Sequence, residues 1–201
     1  MAEVKVLVEG KHSMLEGKKL SISSTVTLIK TDKNILIDTG AFVDREKIIE
    51  SLKKENLTPQ DIEVIILTHL HLDHLMNLAL FNKSKVYCKF KSNYPGQMHN
   101  ISEGYLERFD LLGDAKIGKG INIISTPGHS LDMVSVVVDT DNGKVVIAGD
   151  SLPNEDWVDL KKQPLEMLVY DVDEFNKSRK KILEIANYII PGHGKMFEVK
   201  K

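Results

Sequence analysis

Three histidines and an aspartate within six consecutive residues constrain this chain more than any other feature. The run before them, residues 62–67, is apolar and rich in β-branched side chains, which predicts a buried strand. His69 and His71 lie two positions apart, so an extended backbone points both rings to one side. Asp73 and His74 follow where the chain turns and are aimed at a neighbouring point. Because imidazole and carboxylate bind Zn, Fe, Ni or Mn, the stretch predicts two adjacent metal sites in one cleft.

A histidine-rich polar loop without metal is the alternative explanation for this stretch. The leucines that alternate with the candidate ligands, Leu70, Leu72 and Leu75, argue against a solvated loop. Apolar neighbours pack a loop and so hold ligand side chains in place. A packed loop directly after a buried strand therefore favours the metal-binding interpretation.

The composition of the whole chain is typical of a soluble globular protein. Its 201 residues are 42% hydrophobic and 28% charged, which suits one domain spanning residues 1–201. No apolar run approaches the roughly 20 residues of a membrane span, and the N-terminus lacks the order of a signal peptide. The only cysteine, Cys88, excludes an intramolecular disulfide and indicates a reducing, cytoplasmic compartment. The net charge of −2 shows no overall excess of positive charge of the kind that attracts nucleic acid.

Hydrophobic periodicity and turn signals predict a mixture of strands and helices. Strands are expected at residues 3–9, 21–30, 35–37, 62–67, 86–90, 121–125, 133–139, 144–148 and 188–190. Helices are expected at residues 44–55, 75–81 and 174–187. Asp44 is a candidate N-cap for the first helix. The segments 10–19, 91–120 and 151–173 are expected to be irregular.

Five predicted strands end in a short loop that carries an acid or an imidazole. These loops present Asp38, the cluster at residues 69–74, His129, Asp150 and His193. Several of the turns contain glycine, which lets the backbone approach a ligand closely. Because functional groups often gather where strands end at one edge of a sheet, we expect these side chains to share one site. Each loop alone is weak evidence, and their joint order along the chain is the specific signal.

With this order of residues the chain resembles the metallo-β-lactamase superfamily, whose hallmark is H-x-H-x-D-H followed by His, Asp and His on successive strand ends. The matching residues are His69, His71, Asp73, His74, His129, Asp150 and His193. Asp38 matches the early acidic turn of the family. Within the superfamily the chain is most similar to the small metallo-β-lactamase domain-containing protein 1 group. Residues 68–81, 126–138, 155–157 and 178–194 carry that finer resemblance.

The resemblance implies a fold of class α/β (α+β), a four-layer αββα sandwich of two mixed β-sheets flanked by helices. It also implies two divalent metal ions, with Zn expected and Fe, Mn or Ni as alternatives. One ion would be held by His69, His71 and His129. The second would be held by Asp73, His74 and His193, and Asp150 would bridge the two ions.

The chemistry implied by the resemblance is hydrolysis by a metal-bound hydroxide. Asp73 would also orient that hydroxide and accept its proton, which makes it the expected catalytic residue. Asp38 would accept a hydrogen bond from a ligand imidazole, with a plain turn aspartate as the alternative. His71 stands where redox di-iron members have Glu, and Asp150 stands where narrow lactamases often have Cys. Both residues favour the hydrolytic branches that act on esters, thioesters or nucleic acids.

The expected function is hydrolysis of a small ester, thioester or lactone. A metal-dependent nuclease or phosphodiesterase is the first alternative, and a metal-binding or redox protein without hydrolytic turnover is the second. The expected partner is a small-molecule substrate, with nucleic acid less favoured, no membrane, and a homodimer left open. The finer resemblance and a lysine cluster support the nuclease alternative, whereas the net charge of −2 opposes it.

Aromatic and histidine side chains in the irregular segments are candidates to line a pocket. They are Tyr94, Met98, His99, Tyr105 and Trp157, and ordinary loop packing is the favoured alternative for each. His12 and His99 have no ligand partner at close spacing and are expected to be ordinary surface or core residues. The lysine cluster comprises Lys83, Lys85, Lys89 and Lys91. Protection of a sheet edge is favoured for these lysines over phosphate contact.

Overall fold

The computed structural model describes residues 2–15, 19–89, 109–111 and 117–200. The sequence-based expectations for Tyr94, Met98, His99, Tyr105 and Lys91 lie outside the described residues. No helix in the described ranges has both the length and the apolar character needed to cross a membrane.

The described residues form two larger β-sheets and one hairpin. The first sheet has the strand order β1 (Glu3–Val8), β4 (Val26–Lys30), β5 (Asn34–Ile37), β6 (Val64–Ile66), β7 (Lys85–Cys88) and β8 (Phe109–Leu111). The second sheet has the order β13 (Phe197–Glu198), β12 (Tyr188–Pro191), β11 (Gly143–Gly149), β10 (Val134–Thr140) and β9 (Ile121–Ser125). The hairpin pairs β2 (Lys11–Leu15) with β3 (Lys19–Ser23). Parallel pairs occur in both larger sheets, β5 to β8 in the first and β11 with β12 in the second.

Helices cover the outer faces of the two sheets. They are α1 (Arg45–Lys54), α2 (Leu72–Leu75) and α3 (Val172–Ile185). Short 3-10 helices lie at residues 42–44, 59–61, 78–80, 155–158 and 166–168.

Alternation along the strands builds three apolar layers. In β5, Leu36 packs with Ile48 of α1 on one face, while Ile35 and Ile37 face the second sheet. A third layer lies between α3 and the second sheet, where Ile182 is wholly buried. The layers therefore follow the order helix, sheet, sheet, helix, which confirms the predicted αββα sandwich.

Several element boundaries differ from those predicted. Residues 11–15 form β2 rather than a loop, and the strand predicted over 21–30 is broken at residues 24 and 25. There the backbone N–H of Thr25 bonds to Gly192 O at 2.7 Å, so its hydrogen bond goes to the distant His193 loop. Asp44 makes no side-chain capping bond to α1. The helix predicted over 75–81 is replaced by α2 and a 3-10 turn.

Lys85, the one lysine of the cluster that lies in a described strand, does not protect a sheet edge. Strand β7, which carries Lys85, pairs with β6 on one side and β8 on the other, so it is an interior strand and the expected explanation is wrong. The ammonium of Lys85 lies 5.5 Å from the centre of the Tyr87 ring. The ammonium of Lys89 donates to Ser125 Oγ at 2.6 Å.

Candidate metal centre

The loops that carry the candidate ligands meet at one end of the sandwich. His69 and His71 follow β6, and Asp73 and His74 belong to α2 directly after it. The other three come from the second sheet: His129 lies between β9 and β10, Asp150 follows β11, and His193 follows β12. Because parallel strands of both sheets end here, side chains that are distant in sequence come together.

The first group comprises His69, His71, His129 and Asp150, each with a ligand atom within 4.8 Å of the others. His129 Nε2 lies 3.0 Å from His71 Nδ1 and 3.4 Å from Asp150 Oδ2. His69 Nε2 lies 4.0 Å from the same carboxylate oxygen. Three imidazoles and one carboxylate oxygen are a donor set that suits zinc or iron.

The second group comprises Asp73, His74 and His193. Asp73 Oδ2 lies 3.6 Å from His74 Nε2 and 3.8 Å from His193 Nε2. The other oxygen of Asp150, Oδ1, lies 3.4 Å from His74 Nε2 and 3.2 Å from His193 Nε2. His193 Nε2 also lies 3.3 Å from Asp150 Oδ2, so the carboxylate of Asp150 stands between the two groups and contacts both.

Buried polar atoms without hydrogen-bond partners test whether metal ions fit here. Among the described residues, His69 Nε2, His74 Nε2, Asp73 Oδ2 and Asp150 Oδ1 are buried and have no such partner. Unpartnered buried polar atoms are costly, so four of them converging on one place call for a cation. The residues present therefore fit a metal centre.

Hydrogen bonds from the far side of each ring direct the Nε2 atoms toward the cluster. His74 donates from Nδ1 to Asp38 Oδ2 at 2.8 Å, and His193 donates from Nδ1 to Ser23 O at 2.9 Å. His69 Nδ1 lies 3.1 Å from Thr68 Oγ1, which itself donates to Asp38 Oδ2 at 2.8 Å. Such outer partners orient metal-binding imidazoles. Sequence reasoning named Asp38 but missed Thr68 and Ser23, for which no local signal exists.

Burial and neighbouring charges shift the pKa values within the cluster. Burial lowers the pKa of His69 well below its usual value, and His74 adds to the effect. Burial also opposes charge on His74, but Asp38 and Asp150 outweigh it and raise that pKa well above the usual value. Burial opposes charge on Asp150 too, but His74 and His193 hold its pKa well below the usual range. The shifts favour the carboxylate form of Asp150 and the neutral form of His69, which are the forms that bind metals. The raised pKa of His74 favours its protonated form, so a metal ion bound there would displace a proton.

A cavity of about 270 Å³ opens onto both groups. On one side it is lined by five of the candidate ligands, which are His71, Asp73, His129, Asp150 and His193. Apolar side chains line the other side, chiefly Trp157, Leu168 and Phe175. The rings of Trp157 and Phe175 meet edge to face with centroids 5.5 Å apart. Trp157 therefore lines the pocket and packs at the same time.

His12 also lines this cavity, although no ligand partner lies near it in sequence. Its strand β2 pairs with β3, where it lies opposite Ile22, another lining residue. The His12 and His193 ring centroids are 5.8 Å apart. The hairpin thus brings an imidazole to the cleft that sequence spacing did not reveal.

Comparison with known proteins places the chain in a family. A model of the metallo-beta-lactamase superfamily matches residues 22–193. Metallo-beta-lactamase domain-containing protein 1 of Xenopus laevis is 34% identical over 201 residues, covering 98% of this chain and 82% of that protein. This chain covers 63% of the length of the Rattus norvegicus protein with the same name. A Methanocaldococcus jannaschii protein named "Probable metallo-hydrolase" is 34% identical, with coverage of 79% of this chain and 70% of that protein.

Solved structures share the fold at lower identity. The crystal structure of a Thermotoga maritima protein described as a metallo-beta-lactamase matches this chain with a TM-score of 0.76 and 24% sequence identity. The match covers 98% of this chain and 99% of that chain. Bacillus thuringiensis AiiA, solved with N-decanoyl-L-homoserine at its active site, has a TM-score of 0.68 and 20% identity, covering 96% and 92%. The predicted family and enzyme class are confirmed. The chain belongs to the metallo-β-lactamase superfamily and is a metal-dependent hydrolase.

Proposed function

We propose that the chain is a binuclear hydrolase that cleaves a small ester, thioester or lactone. The position of the Asp150 carboxylate carries the proposal, because it lies between the two groups and contacts both, with oxygens 3.4 Å from His129 Nε2 and 3.2 Å from His193 Nε2. The proposed ions are two divalent cations, with zinc favoured. His69, His71 and His129 would hold one ion, Asp73, His74 and His193 the other, and Asp150 both. We also propose that residues 1–201 act as one domain.

The substrate class follows from the walls of the cavity. The cavity has a volume of about 270 Å³, which suits a small acyl compound more than a polymer. Apolar side chains line one side of this cavity. The homoserine derivative bound in Bacillus thuringiensis AiiA supports a lactone or related acyl substrate. With a net charge of −2, the chain as a whole does not attract polyanions.

The residues of the site have separate roles in the proposed hydrolysis. Divalent ions held by the candidate ligands would supply Lewis-acid activation of water and of the substrate carbonyl oxygen. Asp73 orients the attacking water and accepts its proton on the carboxylate. Trp157 and Phe175 exclude bulk water from the acyl side of the cleft, which strengthens electrostatic interactions within it.

An Asp73→Asn variant tests the proposed catalytic role. The amide keeps the size of the side chain but removes its charge and basicity, so turnover of an accepted ester, thioester or lactone should fall about 100-fold or more. Thermal stability should change little by comparison. The matched control is Asp141→Asn, in the exposed turn between β10 and β11. Metal content of each variant is measured alongside turnover, and full activity of Asp73→Asn would reject the role.

A nuclease is the second candidate, because the interior position of β7 leaves Lys85 without an edge-protecting role. If three lysines contacted phosphates of single-stranded RNA, the affinity for RNA would fall about 20-fold when the salt concentration is raised about fourfold. We expect instead that acyl hydrolysis depends weakly on salt. Replacing Lys85, Lys89 and Lys91 together by Gln should change it less than about tenfold, since distant charges are screened. Inert acyl substrates combined with lysine-dependent RNA cleavage would favour the nuclease, and no turnover of either kind would favour a metal-binding protein.

A further inference from the structure

Arg179 of α3 is the largest side chain that the structure buries completely. Among the described residues no carboxylate forms an ion pair with its guanidinium. The acceptors are oxygens of uncharged groups instead. Nη1 donates to Trp157 O at 3.0 Å and to Asp159 O at 3.2 Å, and Nη2 donates to Lys162 O at 2.9 Å. Nη2 also donates to Asn176 Oδ1, whereas Nε has no hydrogen-bond partner among the described residues. A buried charge is expensive unless it is hydrogen-bonded, so the four bonds of Nη1 and Nη2 offset much of the cost of burying the guanidinium.

All three carbonyls belong to one stretch, residues 157–162, which follows the 3-10 helix at 155–158. A planar guanidinium presents donors in a rigid fork, and here the fork fixes three backbone positions at once. Few other tertiary bonds hold this stretch, whose residues 158–161 are exposed. The conformation of this backbone therefore depends on Arg179.

The same guanidinium stacks against the apolar side of the metal cavity. Its central carbon lies 5.4 Å from the Trp157 ring centroid and 5.1 Å from the Phe175 ring centroid. Both rings line the cavity, and Leu168 continues the lining beyond the held stretch. Arg179 thus supports the backbone of Trp157 and the face of its ring without contacting any candidate ligand.

We propose that Arg179 is a positioning residue that holds the Trp157 side of the cavity in place and thereby sets a preference for substrates with an apolar acyl chain. The proposal rests on the proposed acyl hydrolysis. A preformed apolar wall removes acyl methylenes from water, and each is worth up to about fourfold in an equilibrium constant. A loosened wall loses this gain, while the metal groups on the other side of the cavity keep their donors.

The test compares wild type with Arg179→Met and Arg179→Lys, each loaded with zinc. Methionine fills the space but donates no hydrogen bond, and lysine keeps the charge but lacks the fork. Lys180→Met is the matched control, because Lys180 is an exposed neighbour on α3. The readouts are kcat and KM for p-nitrophenyl acetate, butyrate and hexanoate, bound zinc per chain, and acrylamide quenching of Trp157, the only tryptophan.

In wild type and Lys180→Met we expect KM to fall about threefold per added methylene. In Arg179→Met this gain should fall to about 1.7-fold per methylene, which over four methylenes raises KM for the hexanoate ester about tenfold. The kcat for the acetate ester should change less than about threefold. Trp157 should become more accessible to acrylamide while zinc content stays unchanged. Arg179→Lys should lie between wild type and Arg179→Met, and it serves as the test if the methionine variant does not fold.

Chain-length preference and Trp157 quenching that match wild type in both variants would overturn the proposal. A parallel loss of zinc and of activity on all three esters would overturn it too, since that would make Arg179 a support of the metal groups. If wild type hydrolyses none of the three esters and no thioester or lactone, the proposed function fails. Trp157 quenching then still decides whether Arg179 holds the wall, and titration with hexanoate, followed by Trp157 emission, decides whether the wall binds an acyl chain.

Discussion

Side chains behind the candidate ligands decide where the ligand atoms point. Asp38 accepts from His74 Nδ1 and from both the backbone N–H and the hydroxyl of Thr68. Its backbone has a positive φ of 58°, a conformation that Asp and Asn adopt more readily than most residues. The turn thus places the buried Asp38 carboxylate within hydrogen-bonding distance of both Thr68 and His74.

Replacing Asp38 by Asn tests this outer contact. The amide tolerates the positive φ, but its single oxygen cannot accept all three bonds, from the backbone N–H and hydroxyl of Thr68 and from His74 Nδ1, as the two carboxylate oxygens do. We expect zinc affinity to weaken about 10- to 100-fold, as for other outer partners of metal-binding histidines. Competition with a chromophoric chelator measures the change, with Asp141→Asn as the control. Unchanged affinity would show that Asp38 is only a turn residue.

Cys88 is a structural thiol whose reactivity the fold suppresses. Burial, with a smaller contribution from Asp132, raises its pKa from 9.0 to about 11. We expect iodoacetamide at neutral pH to label it only after unfolding, because the thiolate is the nucleophile. A raised thiol pKa favours the neutral form in the fold, so its contribution to stability is full below pH 9.0 and is lost as pH rises through about 11. Rapid labelling of the folded chain, followed by mass spectrometry, would contradict this.

At the scale of elements, the N-terminus of α3 fixes the His129 loop. The backbone N–H groups of Tyr170 and Asp171 donate to His129 O at 3.2 Å and Gly128 O at 3.0 Å. A Cβ at Gly128 would lie 2.1 Å from Phe175 N, and the φ of Gly128 is +131°. Only glycine fits between loop and helix at this point. One helix therefore supports both a candidate ligand and, through Phe175, the apolar wall.

A Gly128→Ala variant should separate the loop from the helix. The backbone clash and the unfavourable φ together should cost more than about 2 kcal/mol of unfolding free energy. Zinc affinity should also fall, because His129 moves with the loop. Urea denaturation with and without zinc measures both effects. The control is Gly118→Ala, whose Cβ would meet only side-chain atoms of Ile121, at 3.4 Å and beyond. Equal stability of both variants would contradict the close packing.

At the scale of the whole molecule, the candidate metal centre joins the two sheets. The first sheet leads into Asp38 and the ligands at residues 69–74, and the second leads into His129, Asp150 and His193. Cations at this junction would neutralise buried donors from both halves, so metal binding should be coupled to folding. The four unpartnered buried atoms described above make the metal-free state the less stable one.

Removal of metal should therefore lower the melting temperature. Free zinc at about 1,000 times its Kd stabilises the fold by about 4 kcal/mol, which for a chain of this size corresponds to about 8–16 °C. Calorimetry of zinc-loaded and chelator-treated protein measures the difference, and elemental analysis counts the ions. The control is Asp150→Ala, which should lose the zinc-dependent shift. A melting temperature that stays constant while zinc falls from two ions to none would contradict the coupling.

Local pattern in the sequence was sufficient to predict the candidate ligands and the family. The spacing of His69 and His71 after an apolar run, and the acids and histidines at later strand ends, required no knowledge of packing. The strands followed from hydrophobic periodicity, because side chains alternate across a sheet whatever its partners. The resemblance to the superfamily rests on the order of the ligand residues, and the αββα fold was expected from that resemblance; both are confirmed. The assignment of each ligand to an ion, the zinc identity and the substrate class remain proposals.

Tertiary structure alone decided what surrounds those ligands. The hydrogen bond from Thr25 N–H to Gly192 O lies where the strand predicted over residues 21–30 is interrupted. The β2–β3 hairpin places His12 beside the metal cavity. The hydrogen bonds from Arg179 to the backbone of residues 157–162 hold part of a segment that was predicted to be irregular, and Trp157 of this segment lines the cavity. These contacts join positions far apart along the chain, where neither spacing nor composition indicates a partner. They form only when the packed sheets bring the elements together and buried polar groups must find the partners that lie nearby.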